Sequence, residues 1–282
     1  MTLASLLLVI CAAGLHAGWN ALAKRGRDPV VFLWCATLAS TLALSPFGLW
    51  ILARDGLSAA AVPFVLGTIG LHALYFYALG RAYATGAYSL VYPVARGLGV
   101  ALVPIVAFLA FDERLSALGA TGVALVVVGI VGLHVLPAGA AASWPGRAIL
   151  WPVLTGLTIA AYSVLDKAGV ARLNPVAYML LLEAGCALLG LPLLWLRADS
   201  VRRELGSWRT IAVAAVMSAL AYTLVLFAFR LSKTGYVVAA RELSIVLSAV
   251  IGSLWLREGR LGPRLAGASI VLAGVACVAL AR

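Results

Sequence analysis

The sequence predicts an all-α membrane protein: ten transmembrane helices arranged as two inverted five-helix repeats. Three observations predict it. Hydrophobic residues make up 64% of the 282 and charged residues 11%, with a mean hydropathy of +1.07; a soluble domain of this size needs a far more polar exterior. The apolar residues fall into runs of about 20, the length at which a helix crosses a hydrocarbon core. Residues 92–132 also lie over residues 237–277 without a gap, so that Arg96 meets Arg241, Glu113 meets Glu258, Gly122 meets Gly267 and Gly129 meets Gly274.

The first span, 3–22, lacks the basic leader of a signal peptide and carries His16, Trp19 and Asn20, so it belongs to the mature chain. The charged turn KRGRDP at 24–29 ends it. Span 2, 30–52, stops at ARDG, and span 3 covers 60–80. Span 4, 87–111, contains Pro93, Gly97, Gly99, Pro104 and an inner arginine, and it closes at DERLS. Proline removes a backbone donor, so irregular backbone with free carbonyls near 89–90 and 100 is expected beside Arg96; a packing kink is the equal alternative. Span 5, 115–136, is punctuated by glycines. The weakly apolar stretch 137–147 then divides the chain.

Span 6 covers 148–167 and span 7, after Asn174-Pro175, covers 175–197. A charged loop, 197–209, precedes span 8 at 209–230. Span 9, 236–256, holds Arg241 and Glu242, REGRLGP turns the chain, and span 10 covers 263–280. Nothing shows the alternating pattern of barrel strands.

These spans give repeats at 1–137 and 148–282 that together form one membrane domain. The likeness extends backwards: RAYATG at 81–86 matches RLSKTG at 230–235, and Trp19-Asn20 with Lys24 matches Tyr162-Ser163 with Lys167. Five spans is an odd number, so the second half enters the membrane from the opposite side. Inverted halves in one chain build a shared site without a second copy. A monomer is therefore sufficient, and a homodimer is compatible.

The net charge of +11 does not indicate nucleic acid, because most lysines and arginines lie in short loops between apolar runs, where they orient helices. They modestly favour the loops after odd-numbered spans, which by the positive-inside rule would put both termini outside, but the lead is small and the side stays open. Cys11, Cys35, Cys186 and Cys277 lie within apolar runs without metal-ligand spacing and read as small core residues. No cofactor or metal site is expected.

Arg96 and Arg241 are the informative residues. An arginine at mid-membrane costs about 2.5–3.5 kcal/mol to insert, so each must face protein or water. Two readings stay open: an ion pair of either arginine with Glu242 that locks helices, or a substrate or coupling site. His16 and Asn20 share a face of span 1 with Trp19 adjoining; His72 and Tyr75 share one on span 3, and Tyr162 and Asp166 one on span 6. Together these faces can line one cavity, with a histidine titrating near neutrality. For each residue singly, an interhelical hydrogen bond is the alternative. Glu183, midway along span 7, and Glu242 are the candidate proton-coupling carboxylates. Glu113 and Glu258 read as structural groups at helix ends, and Gly14, Gly18, Gly122, Gly129, Gly267 and Gly274 as points of close helix packing.

With its repeated order of a Glu-bearing turn (FDERLS, LREGRL) and a glycine-punctuated final helix, the chain resembles EamA-type members of the drug/metabolite transporter superfamily along nearly its whole length. HAGWNALAK at 16–24 resembles one EamA subgroup, some of whose members are associated with phosphonate use. The resemblance implies secondary transport of a small organic solute against protons, through a central cavity, with cytoplasmic termini in many relatives. That last implication opposes the loop charges. The second half departs from the usual pattern, with Val237-Val238 where the first half has Tyr92-Pro93.

The expected function is thus a proton-coupled secondary transporter acting by alternating access in a bacterial inner (plasma) membrane. Its partners are a small-molecule substrate, protons and membrane lipid. Arginines in both halves favour an anion or zwitterion such as an amino acid or phosphonate. Substrate-binding candidates are Arg96, Arg241, His16, Trp19, Asn20, His72, Tyr75 and Tyr162. A multidrug exporter of cationic compounds is the alternative, since Glu183 and Glu242 could neutralise both arginines. An enzyme is not expected, because no GxSxG, HExxH, Cys/His cluster or phosphate-cradling loop is present. A non-transporting subunit would leave the inner arginines without a role.

Overall fold

The computed structural model describes residues 1–23, 26–85, 88–138, 149–247 and 261–281. The sequence features at Lys24 and Glu258, and most of the 137–147 join, lie outside them. The described helices are α1 (Leu3–Ala23), α2 (Pro29–Asp55), α3 (Val62–Thr85), α4 (Tyr88–Phe111), α5 (Ala117–Ala138), α6 (Leu150–Val170), α7 (Pro175–Leu196), α8 (Ala198–Leu205), α9 (Trp208–Leu231), α10 (Thr234–Arg241), α11 (residues 243–247) and α12 (Leu261–Leu280). No strand occurs among the described residues. Among the described residues, seven helices are long and apolar enough to cross a membrane, and two shorter apolar ones, Ala117–Leu133 and Ala266–Leu280, accompany them. Their outward faces carry Leu42, Phe47, Leu109 and Trp195, all well exposed. Large side chains exposed in such number suit lipid rather than water. This is an all-α, multi-pass integral membrane protein.

The ends of helices follow local chemistry. Asp28 precedes Pro29 and accepts from the Val31 N–H (3.3 Å), and Asn174 precedes Pro175 and accepts from Val176 (3.0 Å). Each oxygen satisfies an amide that the first turn leaves open, and each proline lacks the donor that would otherwise be orphaned. These two caps open the second helix of each half.

Two features differ from the sequence expectation. The 197–209 stretch is not all loop: α8 forms there, with Asp199 in its first turn and Arg202 and Arg203 in its last, as the helix dipole favours. Glu204 of α8 is buried and accepts the Asp28 backbone N–H at 2.6 Å. The second difference concerns the backbone break. α4 runs as helix from Tyr88 to Phe111 through both prolines. The interruption falls in the other half: α10 ends at Arg241, the Glu242 N–H turns back to Ala239 O (3.2 Å), and helix resumes at 243. In a regular helix adjacent side chains diverge by about 100°. The tight turn instead lets Arg241 and Glu242 both point inward, and both are almost fully buried.

The main helix pairings join the halves: α5 with α12, α1 with α9, α4 with α6, α2 with α7, and α3 with α6. α5 and α12 cross backbone to backbone, antiparallel. A Cβ on Gly122 would lie 2.7 Å from Gly274 O, one on Gly274 2.7 Å from Gly122 O, and one on Gly129 2.9 Å from Gly267 O. Glycine is required at this approach, as the repeat suggested. Gly14 differs, since its missing side chain leaves open space. Of the cysteines, Cys35 and Cys186 are buried, Cys277 partly so, and Cys11 faces outward rather than into the core.

Candidate functional site

The break after α10 and the middle of α4 meet at the centre of the protein. Arg96 on α4 donates its Nε–H to Glu242 Oε2 at 3.0 Å and brings Nη2 to 2.8 Å from Oε1 as an ion-pair contact. The pair is a charge-assisted hydrogen bond with a second close charge contact. Arg241 reaches the same carboxylate only at 4.0 Å. It is buried, and its Nε and Nη2 find no hydrogen-bond partner among the described residues. Two cations thus lie beside one carboxylate, and Arg241 keeps two donors without a partner among the described residues. Arg241 also interacts electrostatically with Tyr162, Tyr222 and Arg96.

A narrow cleft opens beside this pair, lined by His16 and Asn20 of α1, Tyr75 and Leu79 of α3, Arg96 of α4, and Thr155 and Ile159 of α6. In this conformation it has room for about one water molecule. Trp19 is not on its wall. The indole is packed in a cluster with Val31, Phe32, Ile211 and Ala214, and its Nε1 donates to His16 Nδ1 at 3.1 Å. Indole nitrogen is only a donor, so His16 Nδ1 accepts and the neutral ring carries its proton on Nε2. Trp19 therefore orients His16. Asn20 is held by its side-chain Nδ2–H, which donates to His16 O at 2.7 Å.

Deeper, between α3, α6, α7 and α9, lies an aromatic and acidic layer. The His72 ring stacks at 4.1 Å on Tyr162 and contacts Tyr222 (5.4 Å) and Tyr75 (6.3 Å). Asp166, fully buried, accepts from Thr68 Oγ1 (2.5 Å), Tyr178 Oη (2.8 Å) and Tyr222 Oη (2.5 Å). Three hydroxyl donors from three other helices stabilise a carboxylate that would otherwise be too costly to bury.

Near the membrane surface, Glu113 joins the halves. It pairs with Lys167 Nζ (2.5 Å) and accepts the N–H (2.7 Å) and hydroxyl (3.3 Å) of Thr234, capping the start of α10. Lys167 also donates to Ser232 O (2.8 Å), and Tyr236 Oη meets Ser116 N (3.0 Å). The structural role expected of Glu113 is present, with a lysine from the other half in place of a loop arginine.

The structure thus brings His16, Asn20, Tyr75 and Arg96 to one cleft, Arg96, Arg241 and Glu242 to one charge cluster, and His72, Tyr75 and Tyr162 to one aromatic layer. Glu183 stands apart on α7, buried with its Oε2 unpartnered among the described residues. The sequence places Asp166 on a face that can line a cavity but does not reveal its partners. Thr68, Tyr178 and Tyr222 do not stand out in it, because an isolated hydroxyl in an apolar run carries no signal until its partner is known. No group of three His, Cys, Asp or Glu positioned for a metal ion occurs among the described residues.

Residues 146–280 match the EamA-like transporter family. The match is consistent with the drug/metabolite transporter superfamily and bears out the resemblance. The family is one of transporters, not enzymes. No curated protein matches the chain. Among solved structures 28 chains match; one crystal structure superposes with a TM-score of 0.76 at 17% identity, covering 99% of this chain and 97% of that one, a likeness of fold.

Proposed function

Taking an EamA-type membrane transporter as the premise, we propose that this chain is a secondary active transporter of a small organic anion or zwitterion, such as an amino acid or phosphonate. It works by alternating access, coupled to protons, in a bacterial inner membrane. Ten transmembrane helices form two inverted halves, 1–137 and 148–282, that rock about the central cleft. The helix pairings support this: exchanging each helix of one half for its repeat counterpart turns the α1–α9 pairing into α6–α3 and α4–α6 into α10–α1, both of which occur. The antiparallel α5–α12 crossing has the same origin.

The observation that carries the reading is Arg241: a buried guanidinium with two donors unpartnered among the described residues, beside a helix break and the Arg96–Glu242 ion pair. A substrate carboxylate or phosphonate completes it. His16 Nε2–H and the Asn20 amide supply neutral contacts to the rest of the ligand, Tyr75 and Tyr162 apolar walls, and Arg96 the positive field. His72 backs that wall, and Trp19 acts by orienting His16. Glu242 can couple protons to transport by releasing Arg96, and Glu183 is the second carboxylate available for that task.

A thermal-shift screen of detergent-purified protein tests this with amino acids, phosphonates, other organic anions and lipophilic cations, on wild type and Arg241→Gln. A ligand at a hundred times its dissociation constant adds about 2.7 kcal/mol. Stabilisation by an anion or zwitterion that disappears in Arg241→Gln is expected. Stabilisation by cations, kept in the variant, would overturn the reading in favour of a cation exporter.

A further inference from the structure

We propose that Asp166 and His72 form a proton-binding site, distinct from the anion site at Arg241 and from Glu242 and Glu183. The inference rests on the transporter reading for its purpose, since a proton site in mid-membrane serves coupling, but its geometry stands alone. His72 Nδ1 lies 3.1 Å from Thr68 O and 3.0 Å from Thr68 Oγ1. A carbonyl can only accept, and the Thr68 hydroxyl hydrogen is committed to Asp166, so Nδ1 carries the proton of the neutral ring. Nε2 is therefore the bare nitrogen, and it faces Asp166 Oδ2 at 4.0 Å. A small rotation closes that distance to a hydrogen bond once a proton arrives.

His16 and His72 differ in this respect. His16 uses Nδ1 to accept from Trp19, so a second proton would break that bond; His72 has both an empty acceptor and a counter-charge waiting for it. The Asp166 shell can also respond. Tyr178 Oη donates to Asp166 and has Phe64 O at 3.3 Å as a second acceptor, to which its hydrogen can turn when the carboxylate charge is shared with an imidazolium. The other titratable or charged groups around the pair are Tyr75 on α3, Tyr162 on α6, Cys186 and Glu183 on α7, Tyr222 on α9 and Arg241 on α10. Arg241 opposes a charged His72, so an anion bound at Arg241 favours the proton and the proton favours the anion. That reciprocity is what proton–anion coupling requires. One proton from water on the open side forms the Nε2–H bond. The same proton leaves to water on the other side.

The test is nitrogen NMR of the full chain labelled at histidine, in detergent, with the signals of His16, His72 and His134 assigned by single His→Gln variants. As the pH is lowered from neutrality into the acid range, His72 Nε2 is expected to gain a proton while Nδ1 stays protonated. Loss of that titration is expected in Asp166→Asn, and its retention in Glu183→Gln. A wild-type His72 that stays neutral throughout, or a titration unaltered in Asp166→Asn, would overturn the proposal. Should Asp166→Asn not fold, Tyr222→Phe removes one carboxylate bond without removing the charge and must shift the titration. No ligand enters this experiment, so its result is independent of the anion screen, and either reading can fail without the other.

Discussion

Replacing Glu242 with glutamine removes the one carboxylate bonded between two buried arginines. Arg96 loses the Nε hydrogen bond at 3.0 Å and the Nη2 charge contact at 2.8 Å, and Arg241 loses a counter-charge at 4.0 Å. Unit charges 4 Å apart attract by about 4 kcal/mol at an effective dielectric constant near 20. Part of that loss is offset because glutamine costs less to bury than a carboxylate. Removing one partner of a buried pair typically destabilises by about 3–5 kcal/mol. At roughly 2–4 °C per kcal/mol, the purified variant should melt roughly 6–20 °C below wild type. Arg96→Gln relieves the excess charge, so the Arg96→Gln/Glu242→Gln double variant should lose less than the sum of the single variants. A Glu242→Gln protein melting within about 2 °C of wild type, or a cycle additive to about 0.5 kcal/mol, would refute the account of the centre as a charge cluster held by Glu242.

Arg96→Gln alone should abolish transport while leaving expression intact, and full uptake by that variant would remove Arg96 from the site. Gly122→Ala places a methyl 2.7 Å from a carbonyl oxygen that cannot yield, at a cost of about 1–3 kcal/mol, whereas Gly14→Ala meets open space and should melt as wild type does; equal melting temperatures for the two would contradict the α5–α12 crossing. Glu113→Gln removes the Lys167 ion pair and weakens the Thr234 cap, bonds that each contribute about 1.5–3 kcal/mol when charged. In a background without the native cysteines, Ser116→Cys should then react with a polar thiol reagent roughly tenfold faster or more; an unchanged rate would show that Glu113 does not hold this face closed. Asn174→Ala should cost about 1 kcal/mol through the lost cap of α7, read from the melting temperature.

Much of this protein is legible in its sequence, because hydrophobicity and insertion cost add up along a chain. Runs of about 20 apolar residues can only be membrane helices. An arginine inside one must face something polar, and that places Arg96 and Arg241 at the centre. The repeat aligns Gly122 and Gly129 with Gly267 and Gly274, and the close α5–α12 crossing uses all four. Partner choice is not legible, because it depends on distances between helices far apart in the chain. Glu242 could have paired with Arg241 beside it; it binds Arg96, 146 residues away. The prolines of α4 suggest a break there, yet the break forms where two adjacent charges both have to turn inward. Trp19 reads in sequence as a wall of the cavity and is instead the residue that orients His16. Asp166 reads in the sequence as one member of a cavity-lining face, and in the fold it ties its own helix to three others. Its hydroxyl donors come from α3, α7 and α9, and only the packed bundle assembles them around one carboxylate.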